Sequence, residues 1–458
     1  MKAFKIVIFI FAILIALGVL CYFFPKNGIK IGPFDFSFAT LESVLTNKEE
    51  APKLAEIDTV KPMEEMLKDS LLKAKQDTID RYLEIMHNHI SRIYTPNDNP
   101  NYFNDFFAKA EKAQANGRTI RVLHYGDSQI ELDRMSSDLR QFFQGKFGGG
   151  GPGLLPIVQT VPCATVSQSS SNNFQTYSVF GPGSRDKEHK YGIMTKYWRV
   201  QGSGSCHISR TRGNKIRLLL NDRSGNFEAT LKSDDFEETK SCDSIGGFHI
   251  LQWNLPSSFS NFSVTFKGSA DLYGLMVDNG SGIAVDNIAL RGCSGTIFTS
   301  ISSSLLQQSY RQTDVGMIVL QFGGNSMPAI GNEQGIENYK NSIIKQIKYL
   351  QSIYPDTPIL FIGPSDMSKM VNGSMQSYPL MEAMVEAMKE AALENGAAFW
   401  NIYEVMGGHN SMLAWVHEGL AGQDYVHFSP AGARKIGSHL VDAFSTIYDY
   451  YCVSQDKE

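Results

Sequence analysis

The sequence predicts an α/β fold in which a parallel sheet with helices on both faces is interrupted by an inserted β-sandwich or jelly-roll-like module. From Gly282 onward, apolar runs of strand length alternate with helical periodicity, the βαβα order that builds a parallel sheet. Between about residues 161 and 278, short alternating runs are punctuated by Ser, Gly and Asn, and helical periodicity is nearly absent. A strand, turn and helix pattern also precedes this β-rich segment, so the segment lies inside the α/β domain.

The elements of the α/β part follow from the period of the apolar residues. An apolar run predicts a first strand at 119–125, and Met135, Leu139, Phe142 and Phe143 predict a helix after it. Two earlier helices are predicted at 63–91 and 102–115. The remaining candidate strands are 283–290, 315–321, 358–362 and 397–401, and the remaining candidate helices are 337–354, 377–395 and 431–450.

The N-terminus predicts a membrane anchor. Lys2 and Lys5 precede an uncharged apolar run at 6–24, which as a helix is long enough to cross about 30 Å of hydrocarbon. Lysines on the short N-terminal side of the run predict that the N-terminus stays in the cytoplasm, so the rest of the chain is expected outside it. A cleaved signal peptide, or a lipoprotein with Cys21 as the lipidated residue, is disfavoured because Leu20 stands where a small residue is needed. A buried core helix is the fourth alternative, and the uncleaved anchor fits best.

Composition gives no support for a nucleic-acid partner or for a metal or redox site built on paired cysteines. A net charge of -5 and the lack of an arginine-rich stripe give no reason to expect a nucleic-acid partner. The chain has six cysteines but no Cys-x-x-Cys pair, so neither a zinc site nor a thioredoxin-like site is expected. Export would permit a disulfide between Cys206 and Cys242. Isolated buried thiols are an equal alternative.

Ser128 is the candidate nucleophile, in the segment His-Tyr-Gly-Asp-Ser-Gln at 124–129, where the first strand ends. A serine hydroxyl is a weak nucleophile, so it needs a base within hydrogen-bond reach, a partner that orients the base, and donors for the developing oxyanion. By itself the tripeptide Gly126-Asp127-Ser128 is weak support for a nucleophile, because Asp127 or Ser128 could simply cap the next helix.

Two further segments supply a base and its partner, and donors for an oxyanion. Asp424 and His427 stand three residues apart just before a helix, so that one loop could hold both. The simpler alternative is a helix start with Ser429 as the cap and Pro430 in the first position. Asn325, in Gln-Phe-Gly-Gly-Asn-Ser at 321–326, could offer its amide. The segment Arg-Gly-Cys-Ser-Gly-Thr at 291–296 could offer a backbone N–H.

Together the four segments resemble the blocks of the SGNH hydrolase superfamily, also called GDSL esterases and lipases. The matching blocks are Gly126-Asp127-Ser128, Arg291 to Gly295, Gly323-Gly324-Asn325, and Asp424-Tyr425-Val426-His427. The resemblance implies a flavodoxin-like, three-layer α/β/α domain and a serine esterase that needs no cofactor or metal. It implies the following roles: Ser128 as nucleophile, His427 as general base, Asp424 orienting His427, and the Ser128 N–H, Gly295 N–H and Asn325 amide as the oxyanion hole, with Gly292 as the fallback glycine.

Two positions depart from that family's pattern. Gln129 follows the serine where the family's name implies Leu, and the third block reads Gly-Gly-Asn-Ser rather than Gly-x-Asn-Asp. Neither departure removes a reacting group.

A looser resemblance narrows the substrate. The run Gly126 to Met135, followed by Phe-Gly-Gly-Gly-Gly-Pro-Gly-Leu at 147–154, is similar to envelope SGNH proteins of Bacteroidetes. An anchor with a β insertion after the first block also resembles peptidoglycan O-acetylesterases, in which the inserted module is carbohydrate-binding-like. This implies hydrolysis of O-acyl, chiefly O-acetyl, esters on an acylated envelope glycan by an inner-membrane-anchored, periplasmic domain. An O-acetyltransferase with the same site, or a non-catalytic glycan-binding protein, is the alternative.

The expected domain organisation follows. It comprises an anchor at 1–24, a linker at 25–62, the first hydrolase part with its N-terminal helices at 63–160, the β insertion at 161–281 and the second hydrolase part at 282–452.

Overall fold

The computed structural model describes residues 2–40, 63–242 and 244–456 of the chain, which divides into two compact units, Met1–Leu72 and Lys73–Glu458. The first unit contains helix α1 (Lys2–Phe23), a hairpin of β1 (Ile29–Ile31) and β2 (Phe34–Phe36), and the start of α2 (Met63–Asn88). In the described part of the chain, α1 is the one helix long and apolar enough to cross a membrane. Of the predicted linker 25–62, residues 41–62 lie outside the described residues.

The second unit opens with the first part of the α/β domain. Its elements are β3 (Ile93–Tyr94), α3 (Asn104–Ala113), β4 (Thr119–Gly126) and α4 (Ser136–Phe147). Every residue of β4 is buried, as expected of a central strand in a sheet covered on both faces. A 3-10 turn at Ser128–Asp133 separates β4 from α4, so the helix begins later than a single tight turn would allow.

The β-rich segment forms an antiparallel module, which confirms the predicted insertion of a β domain into the α/β domain. Its strands are β5 (Gly153–Leu155), β6 (Ser167–Ser170), β7 (Phe174–Ser178), β8 (Lys196–Ser209), β9 (Lys215–Asp222), β10 (Glu228–Ser233), β11 (Phe236–Ser241), β12 (His249–Asn254) and β13 (Asn261–Asp278).

Strand β13 organises this module. Its first part pairs with β8 and β10, and its second part pairs with β9 and β5. The pairing with β9 shifts at a bulge between Leu272 and Gly274. Gly274 has a φ of +136°, and a Cβ there would lie 3.0 Å from the Leu155 carbonyl oxygen, so a side chain would not fit. Cys206 and Cys242 are both buried in the module, and the described residues form no disulfide bond.

The second part of the α/β domain supplies the rest of the parallel sheet. Its elements are β14 (Gly282–Ala289), α5 (Ser303–Gln312), β15 (Val315–Gln321), α6 (Glu333–Ile353), β16 (Ile359–Ile362), β17 (Ser368–Val371), β18 (Ser374–Ser377), α7 (Met381–Glu394), β19 (Ala398–Trp400), α8 (Ile402–Met406), α9 (Ser411–His417) and α10 (Pro430–Ser454).

The main sheet has the order β14-β4-β15-β16-β19-β3, in which the first five strands are parallel and β3 is antiparallel at the edge. Leaving the edge strand aside, this is the flavodoxin-like order, which confirms the predicted fold class. The short strands β3, β17 and β18 and the helices α5, α8 and α9 were not predicted.

The two faces of the sheet pack into different cores. In β4, Leu123 and Tyr125 belong to the same buried cluster as Trp198 of the β module, whereas Val122 belongs to the cluster that includes Phe444 of α10. This alternation is the period of a strand with both faces covered. The Tyr125 hydroxyl also donates to the Ile193 carbonyl at 2.7 Å, so the module is packed against the sheet through β4, the strand that precedes Ser128.

A buried charge network joins the module to the sheet. Arg121 of β4 donates to both carboxylate oxygens of Asp286 in β14 at 2.7 Å and to Asp278 of β13 at 3.0 Å. Arg217 of β9 donates to the same Asp278 at 2.7 Å, and the Leu154 N–H donates to Asp286 at 2.7 Å. Arg121 and Asp286 are fully buried. Each charge has a partner, and burial without one would be costly.

Candidate active site

Ser128 lies at the carboxyl end of β4, the edge of an open parallel sheet where ligands usually bind. Its neighbour Asp127 caps the 3-10 turn, because Oδ1 of Asp127 accepts the Gln129 N–H at 2.9 Å. The Ser128 hydroxyl is therefore not used as a cap. Its Oγ lies 2.7 Å from Nε2 of His427, so the structure brings the candidate nucleophile and base together.

Asp424 holds the other side of the imidazole. Its Oδ2 lies 2.8 Å from Nδ1 of His427, and its Oδ1 accepts the backbone N–H groups of Val426 and His427 at 3.0 Å each. Partial burial works to raise the pKa of Asp424, but the hydrogen bonds from His427 outweigh it and hold the pKa below its usual value. An ionised Asp424 favours the tautomer with the proton on Nδ1, which leaves Nε2 free to accept from Ser128.

The loop that carries His427 has a defined backbone. Tyr425 adopts a φ of +57°, a left-handed conformation that a non-glycine residue reaches only when its surroundings impose it. Its carbonyl accepts the Ser368 N–H at 3.1 Å. Ser429 caps α10 by accepting the Gly432 N–H at 3.2 Å, with Pro430 in the first turn. The helix start and the Asp-x-x-His pair, weighed as alternatives from the sequence, therefore coexist.

Asn325 is placed beside Ser128 by the end of β15. Its Nδ2 donates to Oδ2 of Asp127 at 2.8 Å and to the Cys293 carbonyl at 3.2 Å. Burial raises the pKa of Asp127 to about 6, although the hydrogen bonds from Gln129 and Asn325 and the nearby His427 oppose the rise. The first and third sequence blocks are thus joined by a buried carboxylate–amide contact.

The two candidate glycines of the second block differ in their surroundings. Gly295 has a φ of +77°, and a Cβ there would lie 2.6 Å from the Phe322 ring, so no side chain fits. Its N–H donates to Sγ of Cys293 at 3.4 Å. Gly292 has a φ of +80°, but nothing lies within 4 Å of a Cβ placed there. The need for glycine is therefore both steric and conformational at Gly295, and conformational alone at Gly292.

Gln129, which departs from the family's pattern, connects the nucleophile turn to the base loop. Its Nε2 donates to the Val426 carbonyl at 2.7 Å and to Oγ of Ser365 at 3.3 Å, and its Oε1 accepts the Phe428 N–H at 3.4 Å. One buried amide thus holds the backbone on both sides of His427. The sequence showed the departure but not this contact, because the partners are about 300 residues away.

The turn after Ser128 is also tied to the second block. Glu131 accepts two hydrogen bonds from the Arg291 guanidinium at 2.6 and 2.5 Å, a bidentate geometry that fixes orientation as well as distance. Asp133 adopts a φ of +62° and is paired with the buried Arg140. Arg134 follows, and its Nη1 donates to the Ser128 carbonyl at 3.3 Å. No motif in the sequence indicated these contacts.

A cavity of about 250 Å³ opens beside the candidate nucleophile. Ser128, His427 and Asn325 line it, together with Pro364, Met367 and Tyr378. A lining that combines apolar side chains with a few polar groups is typical of a small-molecule site. Among the described residues, no group of three or more His, Cys, Asp or Glu side chains is arranged to hold a metal ion.

Comparison with known proteins identifies the domain. Residues 264–435 match the model of the GDSL-like Lipase/Acylhydrolase family. The hydrolase domain of this chain is of the SGNH type. The match begins within β13 of the inserted module, after Ser128, and covers the second, third and fourth blocks. The predictions of an SGNH domain and of an esterase of this class are confirmed.

Solved structures show how far the architecture extends. One described as "Peptidoglycan O-acetylesterase in action, 5 min" covers 79% of this chain and 99% of its own, with a TM-score of 0.63 and 20% identity. A family two carbohydrate esterase from Cellvibrio japonicus covers 62% of this chain and 99% of its own, with a TM-score of 0.27 and 10% identity. No curated protein matches the chain. The first match shows that the SGNH domain and its β module share a fold with another protein.

Proposed function

We propose that Ser128, His427 and Asp424 form the catalytic triad of a serine esterase that removes O-acyl groups, chiefly acetyl, from a cell-envelope glycan. The observation that carries the proposal is the continuous hydrogen-bond chain from Ser128 Oγ through both ring nitrogens of His427 to Asp424, with links of 2.7 and 2.8 Å. Serine hydrolases on unrelated folds are recognised by this arrangement, in which the nucleophile lies within reach of a base and a carboxylate orients the base.

The reaction would run in two halves. Nε2 of His427 takes the hydroxyl proton as Ser128 Oγ attacks the ester carbonyl carbon, and the imidazolium then protonates the leaving sugar oxygen. In the second half, His427 takes a proton from water, the resulting hydroxide attacks the acyl-enzyme, and Ser128 leaves with its proton restored. Asp424, ionised in both halves, stabilises the imidazolium that forms twice per cycle.

The proposed oxyanion hole consists of the Ser128 N–H, the Gly295 N–H and the Asn325 amide, with Gly292 as the fallback glycine. Cys293 accepts hydrogen bonds from two of these donors, through its carbonyl oxygen to Asn325 and through its sulfur to Gly295. Burial raises the pKa of the Cys293 thiol to about 11, so the sulfur is neutral and a weak acceptor. A developing oxyanion is a stronger acceptor than either group and would draw both donors toward itself.

The substrate class is proposed from the site and from the matching fold. A cavity of about 250 Å³ accommodates an acetyl group and part of a sugar ring rather than a long acyl chain. The solved protein that shares the fold over 79% of this chain is described as a peptidoglycan O-acetylesterase. These two observations support an acetylated envelope glycan.

The proposed location is the periplasm, with the domain held at the inner membrane. A helix of 20 residues from Phe4 to Phe23 is about 30 Å long at a rise of about 1.5 Å per residue, which matches the hydrocarbon thickness. Lys2 precedes this helix and Lys5 lies in its first turn, and positive charge at that end favours a cytoplasmic N-terminus. The substrate and the hydrolase domain would then share a compartment.

The triad is tested by replacing Ser128. We expect Ser128→Ala to lose turnover of an aryl acetate and labelling by a fluorophosphonate. Ser304→Ala, a matched control on the exposed surface of α5, should retain both. Acetate release from acetylated peptidoglycan, without acetyl transfer to an added glycan acceptor, would identify hydrolysis as the reaction. Full turnover by Ser128→Ala would overturn the proposal.

A further inference from the structure

The β1–β2 hairpin is strongly amphipathic. Its register pairs Ile29 with Phe36, Lys30 with Asp35, and Ile31 with Phe34. Because successive residues of a strand point to opposite faces, the four apolar residues share one face and the charged pair lies on the other. The Lys30 ammonium and the Asp35 carboxylate are 3.4 Å apart, which leaves both charges on that second face.

The apolar face of the hairpin is open. The exposed fractions are 40% for Ile29, 64% for Ile31, 66% for Phe34 and 54% for Phe36. An isolated two-stranded hairpin is marginally stable at best in water, and it needs other elements packed on its apolar face to be stable. Four large apolar side chains grouped on one face indicate a surface that an apolar phase covers.

The position of the hairpin in the chain identifies that phase. Five residues, 24–28, separate the end of α1 at Phe23 from the first strand. Even fully extended, they reach only about 17 Å, and the Gly28 N–H shortens them by donating to the Pro25 carbonyl at 3.0 Å. The Phe24 and Phe38 rings lie 5.9 Å apart, so both ends of the hairpin are close to the end of the helix.

We infer that the β1–β2 hairpin lies in the membrane interface, with Ile29, Ile31, Phe34 and Phe36 at the boundary between headgroups and acyl chains. The inference rests on the proposed anchoring by α1, because a helix that spans the hydrocarbon ends at this depth. An apolar face in the acyl-chain boundary and a charged face toward headgroups and water is the arrangement of interfacial amphipathic segments. The hairpin is then a second membrane contact, in the plane of the bilayer, on the side where the chain leaves it.

The test places a tryptophan on each face of the full-length protein in phospholipid vesicles. Phe34→Trp reports on the apolar face, and Asp35→Trp, one residue away on the charged face, is the matched control. The four native tryptophans lie in the second unit, and the spectrum of the parent protein is subtracted to remove them. Quenching is measured with phosphatidylcholine brominated on the acyl chains. We expect the added emission of Phe34→Trp to be blue-shifted and mostly quenched, and that of Asp35→Trp to be quenched much less.

Ile31→Trp, on the residue paired with Phe34, repeats the measurement in case the first substitution alters the hairpin. Equal quenching on the two faces, or water-like emission from both Phe34→Trp and Ile31→Trp, would overturn the inference. Flotation of the same vesicles at alkaline pH reports membrane integration, and aryl acetate turnover reports the esterase. A protein that floats with water-exposed probes overturns the hairpin placement alone, whereas one that does not float overturns the placement and the anchor together.

Discussion

Replacement of Gln129 by leucine, the residue that the family's name implies, tests whether the residue after the nucleophile positions the base. Leucine has a similar size but no polar atoms, so the Val426 carbonyl and the Phe428 N–H both lose the partner that holds them at 2.7 and 3.4 Å. An unpaired buried backbone group costs about 1–3 kcal/mol. The Val426 bond is short and the Phe428 bond is long, so we expect a loss of about 2 kcal/mol in the free energy of unfolding.

The effect of Gln129→Leu on catalysis should exceed its effect on binding. The two backbone groups flank His427, so releasing them lets the imidazole move relative to Ser128 Oγ, now 2.7 Å away. A misplacement of about 1 Å in a catalytic group can cost roughly 10²-fold in rate. We therefore expect kcat to fall by about that factor and KM to change less, because the lost hydrogen bonds are to the loop that carries His427.

The assay is aryl acetate turnover together with urea unfolding of the same preparations. Gln129→Met, a second apolar replacement of similar length, controls for the shape of leucine and should behave alike. Gln129→Glu keeps an acceptor for the Phe428 N–H but loses the donor to Val426, so its kcat should lie between those of the parent and Gln129→Leu. An unchanged kcat in a destabilised Gln129→Leu would show that the amide serves the fold alone and would refute the reasoning.

Three further outcomes are expected. Asn325→Ala should lower kcat by about 10²–10³-fold, the usual cost of one oxyanion donor; a kcat equal to that of the parent would remove Asn325 from the oxyanion hole. Burial raises the pKa of Asp127 from 3.8 to about 6, so its ionisation destabilises the native state as pH rises through that range. The resulting decrease in the free energy of unfolding reaches at most about 3 kcal/mol and is complete above the folded-state pKa. Asp127→Asn cannot ionise, so its unfolding free energy relative to the parent, from urea titrations, should rise between about pH 4 and pH 7; a constant difference would contradict the raised pKa. Asp286→Ala leaves Arg121 buried with one partner fewer and should lower the free energy of unfolding, measured in urea, by about 3–5 kcal/mol. The control Glu386→Ala, at an exposed pair with Lys389, should lower it by less than about 1 kcal/mol. Equal losses would show that burial of the network contributes nothing.

The sequence predicted the parallel strands well because of where they lie. Strands buried on both faces must be apolar at nearly every position, so each stands out as a continuous run of strand length. The run at 315–321 coincides with β15, and the run at 119–125 falls one residue short of β4. Long amphipathic helices were predicted for the complementary reason, since several turns are needed before their period can be recognised.

Short elements escaped prediction because they carry too few residues to show a period. Strand β3 has two residues and α8 has five. The side-chain contacts that organise the site were missed for a different reason. Glu131 and Arg291 are 160 positions apart, and nothing local to either residue indicates the partner. The candidate triad was predictable only because each member lies in a short motif at the end of an element.

The order of the strands explains why three of the candidate site residues lie together, but it does not explain the position of His427. Strands β14, β4 and β15 are neighbours, and the second, first and third blocks follow them at the same edge, so parallel pairing alone brings Gly295, Ser128 and Asn325 together. His427 follows no strand of this sheet, since it lies in the loop before α10. Its position must come from side-chain contacts, and Gln129, adjacent to the nucleophile, reaches both of its neighbouring peptide groups. A leucine at that position could not make these bonds, so SGNH domains with leucine there must hold their histidine loop by other contacts.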